Sequence, residues 1–439
     1  MKTLEALFRG ATSALAAGGT RDPAAAGRHV HGDRTSSGTS RGRAAAVGLA
    51  FFVAHVGLVT AYVWAASSGG TRPIPEPPAI FRGHHHPWHP VLDLLRWDAI
   101  LYGGIAAQGY ALPEDPHQPS HLVCWFPGLP LLARGVHAAT GWSFQAALVA
   151  VGLACTLGFW MALWSSSARD VLGRDAVAAT SALVLAWPGT YVWLAGMTEP
   201  LVALLSLLVI VWWAQGHFGR AAALLAFASA SKQVFTVVAL VLAFLRWIRS
   251  RPHPVRLALE LLVSTSGLLV FCAYCTHAFG DPLAWAHMVQ RNFGRMRPWV
   301  LVDVRHYLRY AGTLNGGVAL GCVVLLLVAA GLLLPALRRE GLGILSPGPL
   351  SPAGVDVLLW ALAASTTAFF VAADSRTGGS LISTFRWETV NVPLFLLAGR
   401  GLVRLPPRPR LLLLAALFAL GVPLGAKLTA AYWGWGWVS

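Results

Sequence analysis

The chain has 439 residues, of which 56% are hydrophobic and 12% charged, and its mean hydropathy is +0.60. This composition excludes an ordinary soluble enzyme and predicts an integral membrane protein that crosses the bilayer several times. The formal net charge of +15 comes mostly from arginines between the apolar runs. It therefore does not indicate a nucleic-acid partner.

Residues 1–43 are polar and rich in Gly, Ala, Ser, Thr and Arg, a composition typical of a disordered leader. Basic side chains outnumber acidic ones in this leader, so we expect it to remain in the cytoplasm. It is too long for an ordinary signal-peptide n-region. The apolar run over residues 44–66 therefore predicts a retained first span, and residues 44–439 are predicted to form one transmembrane domain.

Residues 67–142 are predicted to form a long first external loop. A proline-rich piece opens it, followed by a histidine cluster made up of His84, His85, His86 and His89. Clustered imidazoles indicate either a metal site or solvated loop side chains, and the lack of an acidic partner beside them favours the second. The apolar run over residues 123–132 is broken by two prolines, which predicts a surface helix rather than a span.

The part of this loop that carries a candidate catalytic acid begins near residue 94. A helical apolar stripe suited to the membrane surface is predicted from Leu94, Trp97, Leu101 and Ile105. Asp98 and Tyr102, four residues apart, lie on a different face. Asp98 is either a solvated acid on an interfacial helix or a group that takes a proton while a neighbouring site holds a lipid. Asp93 is the competing acid.

Further apolar runs predict spans near residues 144–165, 176–194, 199–213, 257–276, 313–334, 355–372, 390–403 and 411–431. With the first run, these give about nine full spans, all helical because the runs do not alternate in polarity. The C-terminal Trp433, Trp435 and Trp437 are expected outside, as an aromatic anchor at the interface.

Residues 221–245 are flanked by arginines at both ends, so both ends are expected in the cytoplasm. The segment is too short for two full crossings, which favours a broken two-helix hairpin interrupted at residues 229–233 over a single span. In the hairpin, Lys232 lies near the phosphate level of the outer leaflet, with Gln233 beside it. A lipid phosphate would be a natural partner for this lysine, and the alternative is a snorkelling side chain.

Several other charges are predicted at the outer surface. Glu199 begins a span and is either a partner of the helix dipole or an acid of the site. The second external loop, residues 277–311, breaks the positive-inside pattern. Its arginines are Arg291, Arg295, Arg297, Arg305 and Arg309. A guanidinium matches phosphate oxygens, so Arg291 and the outward-facing Arg386 are candidates to hold an anionic lipid head, and Asp–Arg pairs within a folded loop are the alternative.

The first loop resembles that of the PIG-V family, the lipid-linked mannosyltransferases that add the second mannose of GPI anchors, and of their bacterial relatives. The matching pieces, in order, are Trp97-Asp98-Ala99, Ile105-Ala106, Gly109-Tyr110 and Phe126-Pro127-Gly128-Leu129-Pro130. Weaker resemblances are Glu199 after Thr198, Arg386 before a span, and a Gly-Asp-Pro-Leu segment over residues 280–283. The sequence departs from the family at residues 100–102, where an acidic residue and a His or Tyr are common.

The resemblance implies a polytopic all-α protein of the GT-C type in the plasma membrane, with its active site on the external face. It implies an inverting glycosyltransferase that moves a mannosyl or other hexosyl residue from a polyprenyl-phosphate sugar to a cell-envelope glycan or glycolipid, without cofactor or metal. Asp98 would be the catalytic base. The substrate-binding residues would be Trp97, Tyr102, Tyr110, Phe126, Glu199, Lys232, Gln233, Arg291 and Arg386. The alternatives are a membrane transporter or lipid flippase and a non-catalytic subunit of a transferase complex.

Overall fold

The structure is a computed structural model that describes residues 36–68, 95–112, 114–296, 303, 305, 309, 312–340, 349–374, 386 and 388–433. Within these ranges the chain is helical, and the extended pairing is limited to an isolated bridge between Ala111 and Pro119. The described part of the protein is therefore all-α, in agreement with the fold class predicted from its composition.

The helices are numbered here in chain order. They are α1 (Ser36–Ser68), α2 (Asp98–Gln108), α3 (Gly128–Thr140), α4 (Phe144–Leu163), α5 (Ser166–Leu172), α6 (Arg174–Ala186), α7 (Glu199–Ala214), α8 (Phe218–Ser229), α9 (Val234–Ser250), α10 (Pro254–Phe279), α11 (Ala284–Phe293), α12 (Leu314–Glu340), α13 (Pro352–Asp374), α14 (Val392–Val403) and α15 (Pro407–Trp433). Two short 3₁₀ helices cover His121–Cys124 and Thr190–Leu194.

Six of these helices are long and apolar enough to cross a membrane by their length and composition. These stretches are Gly42–Ala65, Phe144–Leu163, Pro254–Phe279, Leu314–Pro335, Pro352–Ala373 and Pro407–Tyr432. The helices α7, α8 and α14 are apolar but shorter. This is the pattern of a polytopic membrane protein. The count of about nine full spans remains a prediction.

Two predicted boundaries differ from the structure. The helix α1 begins at Ser36, inside the segment predicted as a disordered leader. The predicted span over residues 176–194 is not one helix, because α6 ends at Ala186. Trp187 precedes Pro188 and is extended, with φ −70° and ψ 121°, as expected for a residue whose helical conformation is hindered by a following proline.

The described part of the segment predicted as the first external loop, residues 95–112 and 114–142, packs against the rest of the protein. The helix α2 packs against α3 and α4, and Leu101 and Ile105 are buried. Trp97 precedes the helix. The predicted interfacial stripe is therefore wrong, because the apolar side of α2 contacts protein. Residues 1–35, Asp93, Leu94, the histidine cluster and residues 434–439 lie outside the described ranges.

The predicted surface helix over residues 123–132 begins later than expected. Pro127 is the N-cap residue of α3, with helical backbone angles of φ −75° and ψ −14°, and Gly128 is the first residue of the helix. The interruption predicted near residues 229–233 agrees with the structure, since α8 ends at Ser229 and α9 begins at Val234. Residues 230–233 form the break between them.

Candidate active site

Asp98 is positioned by a tight turn with an unusual backbone. The Ala99 N–H donates to the Arg96 carbonyl at 3.1 Å, and Trp97 at the second position of this turn has φ 52° and ψ −125°. These angles are those of the first central residue of a type II′ turn, where glycine is the usual residue. A tryptophan in this region is strained, and such strain concentrates at functional sites.

The turn is held by the last described helix. The Tyr432 hydroxyl accepts a hydrogen bond from the Arg96 N–H at 3.2 Å and donates one to the Arg96 carbonyl at 3.1 Å. Tyr432 lies on α15 and is buried. The strained backbone at Trp97 is therefore fixed by contacts from a distant part of the chain, as an over-determined conformation requires.

Four charged side chains from separate parts of the chain meet beside this turn. Asp98 begins α2, Glu199 begins α7, Lys232 lies in the break after α8, and Arg386 precedes α14. The Arg386 Nη2 atom lies 2.8 Å from Asp98 Oδ2, and its Nε lies 3.5 Å from Glu199 Oε1. Lys232 Nζ lies 3.4 Å from the same Glu199 oxygen. We call these four residues the charge cluster.

The four members differ in their access to solvent. The Glu199 side chain is 3% exposed, whereas those of Asp98, Lys232 and Arg386 are 16%, 19% and 20% exposed. Glu199 is thus the buried anion that holds both cations. The other three side chains border a partly accessible space, which is where a ligand would meet them.

Arg386 keeps unused hydrogen-bonding capacity. Burial opposes a charge on this side chain, but the Asp98 and Glu199 carboxylates outweigh burial and raise the pKa of the guanidinium. Its Nε atom is buried and makes no hydrogen bond among the described residues, although the Glu199 carboxylate lies 3.5 Å away as its ion-pair partner. A charged N–H group forms a stronger hydrogen bond with an anionic oxygen than with a neutral one. Arg386 therefore has hydrogen-bonding capacity that the two carboxylates do not fill.

Aromatic side chains surround the charge cluster. The Tyr102 hydroxyl lies 3.4 Å from Thr198 Oγ1, and burial raises the pKa of Tyr102, so its hydroxyl stays protonated at neutral pH. The Tyr191 and Tyr432 rings are 5.3 Å apart. Lys232 Nζ lies 5.9 Å from the centroid of the Phe370 ring, a cation–π distance.

A small apolar crevice between α7, α9, α13 and α14 lies close to the charge cluster. Its lining includes Val202, Ile210, Val234, Leu362 and Phe370. Val234 is two residues from Lys232, and Phe370 lies beneath its ammonium. The four charged side chains do not line the crevice, and Phe370 is the lining residue within cation–π distance of the cluster.

The other residues predicted for the site lie apart from these charges. The Tyr110 hydroxyl donates to the Trp125 carbonyl at 2.9 Å, and the Phe126 ring packs against Phe271 and Trp285. Both contacts fold the first loop. Gln233 is the N-cap of α9 without a side-chain capping bond. Arg291 is exposed on α11, and no ion pair joins it to the charge cluster within the described ranges.

The sequence analysis missed the residues that support Arg386. Glu388 is 1% exposed and accepts hydrogen bonds from Thr367 at 3.3 Å and from Asn391 at 2.7 Å. Thr389 accepts one from Trp187 Nε1 at 2.9 Å. These bonds fix the turn that follows Arg386. An acidic residue at the edge of an apolar run is a signal that could have identified Glu388.

Comparison of the chain with models of known protein families, with curated proteins and with solved structures finds no significant match in any of the three. Function is therefore argued from the chemistry of the charge cluster and its surroundings.

Proposed function

We propose that the protein is an inverting glycosyltransferase that moves a mannosyl or other hexosyl residue from a polyprenyl-phosphate sugar to a cell-envelope glycan or glycolipid acceptor at the outer face of the plasma membrane. The observation that carries this proposal is the charge cluster. It combines a partly accessible carboxylate with two cations, one of which has an Nε–H group that makes no hydrogen bond among the described residues, and it lies close to a small apolar crevice.

The donor would bind through its phosphate and its chain. Phosphate oxygens match the guanidinium of Arg386 and the ammonium of Lys232, since both groups donate charge-assisted hydrogen bonds. Glu199 holds the two cations close together. The first isoprene units would enter the crevice beside Phe370, where apolar surface is removed from water.

The reaction needs one base and a stabilised leaving group. Asp98 accepts the proton of the acceptor hydroxyl as that oxygen attacks the anomeric carbon. The bond between the anomeric carbon and the phosphate oxygen breaks, and the phosphate takes the electron pair. Arg386 and Lys232 stabilise the charge that develops on it. A single displacement inverts the anomeric centre, so a β-linked donor yields an α-linked product.

A donor phosphate would compete with Asp98 for the guanidinium of Arg386, because both are anions that bind the same N–H groups. When phosphate occupies Arg386, the Asp98 carboxylate is released from its ion pair and can accept a hydrogen bond from the acceptor hydroxyl. Donor binding would therefore free the base for the acceptor.

Asp98→Asn tests the proposal, with Asp93→Asn as the control at the competing acid of the same loop. Purified protein in liposomes is assayed for sugar transfer from a polyprenyl-phosphate mannose donor. Since general base catalysis typically contributes about 10²- to 10⁴-fold, we expect Asp98→Asn to lower kcat by that factor and Asp93→Asn to leave it near wild type. Transfer by Asp98→Asn at near the wild-type rate would overturn the assignment.

A further inference from the structure

The helices α3 and α8 meet end to end at the break that carries Lys232. Gly128, the first residue of α3, donates its backbone N–H to the carbonyl of Ala230 at 2.7 Å, and Ala230 directly follows α8. The first N–H groups and the last C=O groups of helices lack partners within their own helix. This bond satisfies one group from each helix and ties the first external loop to the break.

The contact at Gly128 leaves no room for a side chain. A Cβ atom at this position would lie 2.1 Å from Ser231 Oγ and 2.9 Å from Ser231 Cα. Ser231 is 1% exposed, and its hydroxyl donates to the Phe227 carbonyl at 3.0 Å. The hydroxyl cannot turn away without losing that bond, so a larger residue at Gly128 must displace the backbone at Ser231.

A second glycine, Gly267, packs against the same break from α10. A Cβ atom at Gly267 on α10 would lie 2.0 Å from the Ala226 carbonyl oxygen and 2.7 Å from the Ala230 nitrogen. Next to it, the Leu268 N–H donates to Ser229 Oγ at 3.3 Å. The backbone before Lys232 is thus packed against both α3 and α10, at Gly128 and Gly267, where there is no room for a side chain.

We propose that Gly128 and Gly267 form a clamp that sets the position of Lys232, and that Gly128 is a positioning residue for this cation. Lys232 follows Ser231 directly, and its ammonium reaches Glu199 at 3.4 Å. A displacement of the clamped backbone moves the ammonium away from Glu199. In the transferase, on whose proposed function this last step rests, the clamp sets where the donor phosphate binds.

The clamp also gives a role to the Phe-Pro-Gly-Leu-Pro segment over residues 126–130. Phe126 packs against Phe271 and Trp285, so its ring attaches the segment to α10 and α11. Gly128 then contacts the break itself. The segment acts on the charge cluster through backbone placement, without a side chain of its own in the cluster.

Gly128→Ala tests the clamp, with Gly135→Ala on the same helix as a matched control, because a Cβ atom at Gly135 has nothing within 4 Å. The readout is acylation of Lys232 by a water-soluble amine reagent, quantified by mass spectrometry of detergent-purified protein. The exposed Lys427 on α15 is the internal reference. We expect Gly128→Ala to increase Lys232 labelling severalfold relative to Lys427, and Gly135→Ala to leave it unchanged.

The double variant Gly128→Ala/Ser231→Gly removes the hydroxyl and the Cβ atom that the new methyl group meets, and it leaves the 2.9 Å approach to Ser231 Cα. We expect Lys232 labelling in the double variant to fall between the rates of the wild type and of Gly128→Ala. If Gly128→Ala does not yield folded protein, the double variant should fold and still label Lys232 faster than the wild type does. Wild-type labelling in folded Gly128→Ala, or in the double variant where the single variant does not fold, overturns the clamp.

Activity separates this proposal from the proposed function. If Lys232, the cation proposed to bind the donor phosphate, is misplaced, the KM for the polyprenyl-phosphate sugar should rise more than kcat falls. We expect kcat/KM to fall by about 10- to 100-fold. If the wild-type protein transfers no sugar but Gly128→Ala still exposes Lys232, the transferase assignment fails and the clamp stands. If transfer occurs and Lys232 labelling is unchanged in the folded variant, the clamp fails and the transferase stands.

Discussion

Among the described residues, two buried acids each pair with two cations, and the two sets of cations make different further contacts. Asp356 on α13 is 1% exposed and pairs with Arg400 and Arg404. Arg400 also donates to the Leu172 carbonyl at 2.7 Å and to the Pro352 carbonyl at 2.8 Å. We call Asp356 and its two arginines the Asp356 group. At Glu199, by contrast, the buried Nε of Arg386 lies 3.5 Å from the carboxylate and makes no hydrogen bond within the described ranges.

The difference lies in what the arginine donors bind. In the Asp356 group the guanidinium of Arg400 donates to the carbonyls of Leu172 at the end of α5 and of Pro352 at the start of α13. The Leu172 carbonyl is in the last turn of a helix, where carbonyls have no partner within the helix. Such an arginine joins helices and has little capacity left. In the charge cluster the cations are held by carboxylates, and a donor remains for a ligand. Hydrogen-bond saturation therefore separates a structural ion network from a candidate site better than charge does.

The sharpest test of this comparison removes the acid from each network. Glu199→Gln removes the anion of Lys232 and one of the two anions of Arg386, and Asp356→Asn removes the anion shared by Arg400 and Arg404. Breaking a fully buried pair typically costs about 3–5 kcal/mol of unfolding free energy, and the partial exposure of these cations places the cost below that range. We expect both to lower stability in SDS-titration unfolding. Only Glu199→Gln should also weaken binding of a polyprenyl phosphate, measured by fluorescence quenching. If the two variants bind polyprenyl phosphate with equal affinity, the two ion networks do not differ in their role in donor binding.

A conservative exchange of the arginines isolates the contribution of guanidinium geometry. Arg386→Lys keeps the charge but loses the planar donor set, and we expect the Kd for polyprenyl phosphate to rise about 10-fold, equivalent to about 1.4 kcal/mol. Arg400→Lys should lower the unfolding temperature and leave that Kd unchanged. The comparison fails if Arg400→Lys weakens donor binding as much as Arg386→Lys does.

The third prediction concerns the turn that supports Arg386. Burial raises the pKa of Glu388 to about 7, although hydrogen bonds from Asn391 and Thr367 oppose the shift. The group facing it from α12 is Cys322. Because the folded pKa lies above the usual value for glutamate, the folded state binds more protons. Stability is then full below pH 4.5, the usual pKa of the group, and falls as pH rises through about 7.

Glu388→Gln should remove this dependence, because the amide is neutral at every pH and keeps the shape of the side chain. For a single proton the slope is at most about 1.4 kcal/mol per pH unit. Unfolding temperatures measured from pH 5 to 8 should decline for the wild type more than for Glu388→Gln. Parallel curves for the two proteins would show that Glu388 does not bind the proton.

Much of the architecture could be predicted from the sequence, because apolar runs and breaks are local signals. Hydropathy gave the long helices, and the arginines that flank residues 221–245 indicated the interruption at Lys232. Glu199 and Lys232 were selected as charges next to apolar runs, where an unpaired charge is costly, whereas Asp98 and Arg386 were selected chiefly through the family resemblance. Asp98 pairs with Arg386, which lies 288 positions later in the chain. This pairing depends on how the helices pack, and no local sequence pattern indicates it.

Other features could not be predicted because they oppose local preference. Trp97 occupies a turn position that glycine normally fills. The predicted apolar stripe of Trp97, Leu101 and Ile105 required a helix that includes Trp97, but the chain forms a turn there. Arg291 was selected for its charge alone, and the structure leaves it exposed. The supporting role of Glu388 depends on Thr367 from another helix, which the sequence does not place nearby.

The hydrogen bonds between Tyr432 and Arg96 have a consequence for biogenesis. Residue 96 is synthesised long before residue 432. During synthesis the strained turn at Trp97 therefore lacks its tyrosine partner while the intervening helices insert. Chains truncated before α15 lack Tyr432 and with it both hydrogen bonds that hold the Arg96 backbone. The geometry of the Asp98 turn therefore depends on synthesis reaching α15.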